Sequence, residues 1–502
     1  MAQLPGQDTS IWRATGPART YPRLEGAGHA DVIVVGAGIT GLTTALLLKE
    51  AGARVVVIEA ERLGHGTTGG TTGKVTSQHG LLYADLIEQK GEDAARAYAE
   101  ANENALSLVQ QIARRYELDA DLVAADAYVY TEQPGQAERM HAELEAAQRL
   151  GLPASWAEET ELPFPIVGAV RFERQLQLHA VKYLHALAVA VDGGGSSVHE
   201  QTRALDVVEG GQPRVITEHG TLRADHVVLA TLLPILDRGF EFARTHPSRA
   251  YGIAARIDGE TPVGMYISAE SPTRSFRPYR AREDNYLIVV GNSHKTGQEP
   301  DTGAHYEALV NFARERFPVS RIDYRWSAQD YMPVDNVPYI GKVAFGGSVY
   351  VATGLKKWGL SNGTAAAEII ADSILSRGSR WAEVFSTTRL EVIRSVRELL
   401  QHNVDSAKRF AGDRFRSVFT TVADIPPGGG GVVLTGGEQV AVAKDEGGRT
   451  TAVSAVCRHL GCIVQWNPAE QTWDCPCHGS RYDRDGRVLT GPATRSLEPR
   501  EL

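Results

Sequence analysis

The chain has 502 residues, 42% of them hydrophobic and 23% charged, an ordinary globular balance in a chain too long for one core. Its formal net charge of −9 argues against a nucleic-acid surface and against a polybasic membrane patch. No apolar run reaches the roughly 18–20 residues of a membrane span, and MAQLPGQDTSIWRATGPART has no leader pattern, so a cytoplasmic protein is expected.

Residues 1–30 read as a polar, proline-containing arm. At Asp31 the texture changes to DVIVVGAGITGLTTALLLKEAGARVVVIEA. Ile33 to Val35 is apolar without alternation, as in a parallel strand buried on both faces. Leu42, Ala45 and Leu46 then begin a helical period, and Val55 to Ile58 forms a second buried strand ending at Glu59. The whole is a βαβ unit whose turn, Gly36-Ala-Gly38-Ile39-Thr40-Gly41, fits G-x-G-x-x-G. Gly36 allows the tight turn, Gly38 admits a pyrophosphate at the helix N-terminus, and Gly41 permits close packing. Glu59 stands where a carboxylate accepts the hydrogen bonds of an adenosine ribose.

Further on, 82–115 and 135–150 read as helices around a strand near Ala127–Thr131. Val215–Leu233 reads as a β-meander, and 250–292 as an antiparallel sheet. Helices are expected near 304–316 and over Thr364–Leu375, and a charged helical segment over 389–410. After IPPGGGG at 425–431 come short strands and turns.

All four cysteines lie between 457 and 477, in CRHLGC, twelve residues, then CPCHGSRYD. Cys457-x-His459 and Cys475-x-x-His478 offer two thiolates and two imidazoles, the donor set of a Rieske [2Fe-2S] centre, with two Cys on one iron and two His on the other. Cys2His2 also suits structural zinc. Finger-type zinc ligands usually pair like with like, whereas each loop here offers one of each, which favours the cluster.

This segment resembles the Rieske domains of cytochrome bc complexes, with C-x-H-L-G-C, C-P-C-H-G-S and Gly491-Pro492-Ala493 in place of their proline loop. The resemblance implies a disulfide between Cys462 and Cys477, and hydrogen bonds to the cluster sulfurs from Ser480 and Tyr482. Such donors raise the reduction potential, implying an electron acceptor.

Residues 30–380 resemble the D-amino-acid oxidase and glycine oxidase family, most specifically in EAERLGHGTTGGTTG from Glu59 and in ATGLKKWGLSNGTAAA at 352–367. That resemblance implies FAD held by Gly36, Gly38, Ile39, Thr40, Gly41, Glu59, Ala60, Arg62, Gly66, Thr67, Thr68, Gly354, Lys357, Trp358 and Gly359. Lys356, Lys357, Trp358 and His79 are the candidate catalytic groups, with Lys74 beside His79 in the first flavin loop. Arg274, Arg277, Tyr279, Arg280, His294 and Lys295 are candidates for substrate contact by location. The whole chain resembles a bacterial subgroup of these flavoproteins with a C-terminal Rieske domain.

The expected fold class is α/β plus all-β. An arm (1–30) precedes a Rossmann-like FAD-binding domain (31–85, 165–240, 325–380) with an inserted antiparallel-sheet substrate domain (86–164, 241–324). A helical connector (381–417) leads to a small all-β Rieske domain (418–502). The expected activity is flavin-dependent dehydrogenation of a C–N bond in an amine or amino acid, with electrons leaving through the cluster to an external acceptor protein or O2. The alternatives are an electron-transfer protein linking partner proteins without an organic substrate, and an O2-using amine oxidase with a structural or sensing cluster. Oligomerisation is compatible with all three.

Overall fold

The computed structural model describes residues 4–235, 241–343, 347–389 and 421–502. The expected helix over 389–410 therefore lies, from residue 390 on, outside the described residues, as does most of the expected connector.

The apolar run before Gly36 is the strand Gly28–Val35, flanked in parallel by Val55–Ile58 on one side and Thr221–Leu229 on the other. Ser197–His199 and Val349–Thr353 extend this sheet in parallel, which explains why its central strands carry no alternation. The helices Ile39–Glu50 and Gly359–Ile374 pack together over one face. The second helix thus begins five residues earlier than its apolar period suggests, directly after Trp358.

The inserted domain is built on the long strands Thr245–Ile257, Asp284–Lys295 and Val319–Pro333, paired antiparallel. Arg274–Ala281 and Met265–Ser268 continue the sheet to Val123–Thr131 and Gly168–Gln177. The N-terminal arm is part of this body. Gln7–Asp8 pairs with Tyr324 and Arg325, Ile11 and Trp12 are fully buried, and Ser10 Oγ and Trp12 Nε1 donate to the carbonyls of Gly69 and Thr71. Its polar composition hid these anchors.

The C-terminal domain consists of two small antiparallel sheets, Gly430–Thr435 with Glu438–Lys444 and Thr450–Ser454, then Gln465–Asn467 with Thr472–Asp474, Arg481–Tyr482 and Val488–Thr490. It docks on the first body through buried polar contacts. Thr302 Oγ donates to Asn467 Oδ1 at 2.7 Å, and Arg203 donates to the Val488 carbonyl at 3.0 Å. Glu470 sits at the centre, its carboxylate bound by Arg249 and Ser327 from the long-stranded sheet and by Arg481 from its own domain. Burial opposes its ionisation, but Arg249 and Arg481 prevail and hold the carboxyl below its usual range.

Removing one member of such a group leaves a buried, uncompensated charge. Glu470→Ala is expected to destabilise docking by about 3–5 kcal/mol. Hydrogen exchange should then rise at 245–257 and 470–481 together; unchanged protection there would refute this account of the seam.

Candidate flavin and iron–sulfur sites

A cavity of about 560 Å³ opens at the carboxyl ends of the parallel strands, where ligands bind in such sheets. Gly36 has φ +103, and a Cβ there would stand 2.5 Å from the Ala230 carbonyl oxygen. A Cβ on Gly41 would meet the Gly36 oxygen at 1.9 Å, so turn and helix touch backbone to backbone. Gly38 caps the helix with no side chain, Ile39 N–H donates to Thr68 Oγ at 3.3 Å, and Gly38, Ile39 and Thr40 stand at the cavity wall. Glu59 is enclosed at the wall, accepts the N–H groups of Ala37 (2.9 Å) and Glu61 (3.1 Å), and titrates above its usual range because of burial. A glycine turn, a helix N-terminus at the cavity wall and the half-buried Glu59 carboxylate fit a dinucleotide's pyrophosphate and ribose.

Of the expected FAD contacts, Gly36, Gly38, Ile39, Thr40, Glu59, Ala60, Gly66, Thr67, Thr68, Lys357 and Gly359 line this cavity. Gly41 backs it. Arg62 is drawn aside by Glu200 at 3.1 Å, and Gly354, at φ +71, makes the turn against Pro333 that aims the closing loop. Trp358 stacks on His79 at 4.8 Å behind the wall, where His79 bonds Tyr98 and Ser361 and desolvation pushes it down to about 3. Lys356, behind the wall, and Lys357, facing the cavity, are each pushed down to about 8 by desolvation.

The expected substrate contacts are placed otherwise. Arg277 spends its guanidinium on the carbonyls of Thr72, Leu178 and Pro278 and on Gln177. Tyr279 bonds Asp121, Arg274 bonds the carbonyls of Pro272 and Thr273, and Arg280 faces solvent near Glu283. Buried Lys74 donates to the Tyr266 carbonyl and Ser275 Oγ. His294 lies in a ring stack with Tyr251 and His305, and Lys295 ends the same strand.

Cys462 and Cys477 are joined by a disulfide that ties the two loops. The Sγ atoms of Cys462, Cys475 and Cys477 lie within 4.8 Å of one another, but two of the three are spent on each other. Cys457 and Cys475 remain free and buried. The His459 and His478 rings stand 5.0 Å apart, and desolvation pushes them down to about 4 and about 3, so both are neutral donors at physiological pH. His459 Nδ1 is buried with no protein partner. Two thiols, two neutral imidazoles and this unpartnered nitrogen fit a [2Fe-2S] cluster. Tyr482 Oη lies 3.2 Å from Cys457 Sγ, and Ser480 Oγ accepts from Ala493 N at 3.0 Å beside the same loops.

The two sites share a wall. Tyr331 donates to the His478 carbonyl and Gln329 to that of Gly479, both at 2.8 Å, and Phe242 stands edge-on to both imidazoles. Asp330, between them, lines the cavity, accepts Lys357 N–H at 2.6 Å, and is pushed up to about 6 by burial. Arg249, Glu470, Arg481 and Thr490 also line the cavity. None of these carries a local motif. The one signal for them is a strand with polar side chains on both faces, Gln329 and Asp330, in an otherwise buried stretch.

Residues 31–373 match the family model described as FAD dependent oxidoreductase, and residues 416–500 match that of the Rieske [2Fe-2S] domain. The chain is 34% identical over 496 residues to YhfW of Bacillus subtilis (strain 168), named for a Rieske 2Fe-2S iron–sulfur protein, covering 98% of this chain and 97% of that one. Its fold is that of glycine oxidase from Geobacillus kaustophilus (TM-score 0.63, 18% identity, 73% of this chain and 100% of that one). It is equally that of L-proline dehydrogenase from P. horikoshii (TM-score 0.61, 17% identity, 73% and 98%). Among the described residues no helix is long and apolar enough to cross a membrane. The first match covers most of the chain and the second its C-terminal domain: the protein belongs to the FAD dependent oxidoreductase family, an oxidoreductase of FAD with a [2Fe-2S] cluster in a Rieske domain.

Proposed function

We propose that the chain oxidises a C–N bond of an amine or amino acid and exports the electrons singly through its own Rieske domain. When bound, the flavin takes a hydride equivalent and the cluster one electron at a time. The observation that carries the reading is the shared wall, where the backbone of ligand residue His478 is hydrogen-bonded by Tyr331, next along the strand to cavity-lining Asp330. The folds of glycine oxidase and proline dehydrogenase support a C–N substrate by likeness. Phe242 packs edge to face against both imidazoles, so His459 and His478, which would hold one iron, lie against the body that carries the cavity.

The roles of this chain's residues follow from placement. Gly36, Gly38 and Glu59 hold the dinucleotide, Cys457, His459, Cys475 and His478 hold the irons, and Lys357 offers a cation to the cavity. In anaerobic mixing with a panel of amines and amino acids, flavin bleaching is expected to be followed by the EPR signal of the reduced cluster. Bleaching over many turnovers with a silent cluster would sink the relay.

Lys357 gives a second expectation. A cation at this wall favours the more negative, reduced flavin, so Lys357→Met is expected to lower the flavin potential, by about 30 mV for each 1.4 kcal/mol lost. Lys357 is charged below its depressed value of about 8. An added negative charge in the cavity raises that value, so the benefit is complete below about pH 8 and fades as pH rises above it. Potentiometric titration of both proteins across pH 6–10 should show the two curves converging at high pH; parallel curves would exclude the role.

A further inference from the structure

The end of the strand Val319–Pro333 is a partition that lines the cavity and also touches the ligand loop. Successive side chains on a strand face opposite ways. Asp330 is turned to the flavin cavity, where the Lys357 N–H meets it. The side chains of Gln329, itself at the cavity wall, and of Tyr331 reach the carbonyls of Gly479 and His478. The partition is held from both sides. Thr296 Oγ donates to Gln329 Oε1 at 2.8 Å, Thr67 Oγ donates to the Gln329 carbonyl at 2.7 Å, and Lys356 N–H to the Tyr331 carbonyl at 3.2 Å.

The ligand loop approaches this partition as closely as a backbone can. Gly479 has φ +74, and a Cβ on it would stand 2.6 Å from Pro247 Cβ and 2.7 Å from Gln329 Nε2. Gly297, at φ +69, would bring a Cβ to 2.9 Å from the Asp474 oxygen and the Pro476 nitrogen. The loop thus packs closely against Pro247, Gln329, Tyr331 and the Gly297 turn. Tyr331 is fully enclosed, and its hydroxyl has His478 as its acceptor.

We propose that Tyr331 is the positioning residue of the relay: its hydroxyl fixes the His478 loop against the partition, and single electrons cross from the cavity to the cluster through the Asp330–Tyr331 segment. The inference rests on the relay reading above and adds the place of crossing. Each crossing moves one electron and breaks no bond. A one-electron acceptor in solution takes it from the cluster before the next, and the proton released over the pair stays on the cavity side, where the Asp330 carboxylate can receive it. Through this one tyrosine, the backbone of a cluster ligand is joined to the strand that walls the flavin cavity.

The test needs no organic substrate. The bound FAD of the holoprotein is photoreduced by a light flash with EDTA under anaerobic conditions, and the reduced-cluster EPR signal is followed by rapid freezing. Tyr331→Phe keeps the ring and removes the hydrogen bond. It is expected to slow appearance of the signal by about fivefold to tenfold, the weight of one such bond. It should also shift the g-values as His478 relaxes, at unchanged FAD and iron content. Gly479→Ala, which forces the loop off Pro247 and Gln329, is expected to slow the crossing as well while the flavin bleaches at the normal rate. Wild-type rates and g-values in Tyr331→Phe, or an undiminished crossing in Gly479→Ala, would overturn the assignment and leave the relay standing. A wild-type flash that bleaches the flavin and never reduces the cluster would overturn both.

Discussion

A carboxylate buried between two guanidiniums holds this molecule together as a two-cofactor device. Glu470 is reached by Arg249 from the long-stranded sheet and by Arg481 from its own domain, and Asp474 binds Arg481 from behind. Charges so enclosed are costly to separate, because each would be left in a medium that solvates it poorly. Docking by this route favours one register, with every partner placed, over a series of loosely sliding poses. The same register brings Thr302 to Asn467, Arg203 to Val488 and the ligand loop to Gln329 and Tyr331.

Close approach without side chains is the second constraint, and it recurs at both cofactor sites. Gly36 and Gly41 let a turn and a helix meet where a Cβ would overlap a carbonyl. Gly479 and Gly297 do the same for the ligand loop and its neighbours. In both pairs the space is closed against another part of the chain, the first beneath the cavity wall and the second beside the ligand loop. The glycines are thus the thin places of the molecule, and the cofactor sites are built beside them.

Much of this was legible from local spacing. The Gly36–Gly41 turn with Glu59 one strand later, and Cys457, His459, Cys475 and His478 in two loops, announce their chemistry because each motif is completed within a few residues of backbone. The Cys462–Cys477 bond was legible through family resemblance and is present. Arg249, Asp330, Tyr331 and Glu470 were not legible, since each acquires its meaning from a partner far away in sequence. Arg277 shows the converse. Its setting in SPTRSFRPYR suggested a substrate contact, yet the fold surrounds it with carbonyls from 72, 178 and 278. Ile11 and Trp12 escaped notice because two apolar residues in a polar arm have no periodicity to betray them.

The cavity draws its walls from opposite ends of the described chain, Thr9 and Arg13 near one and Thr490 to Thr494 near the other. During synthesis the N-terminal parts emerge and fold first. The parallel sheet with its glycine cradle can therefore exist on the ribosome while the side later closed by Leu489–Thr494 is still open. Maturation thus has a natural sequence: the dinucleotide has a wide doorway early, and the folding of the last domain narrows it.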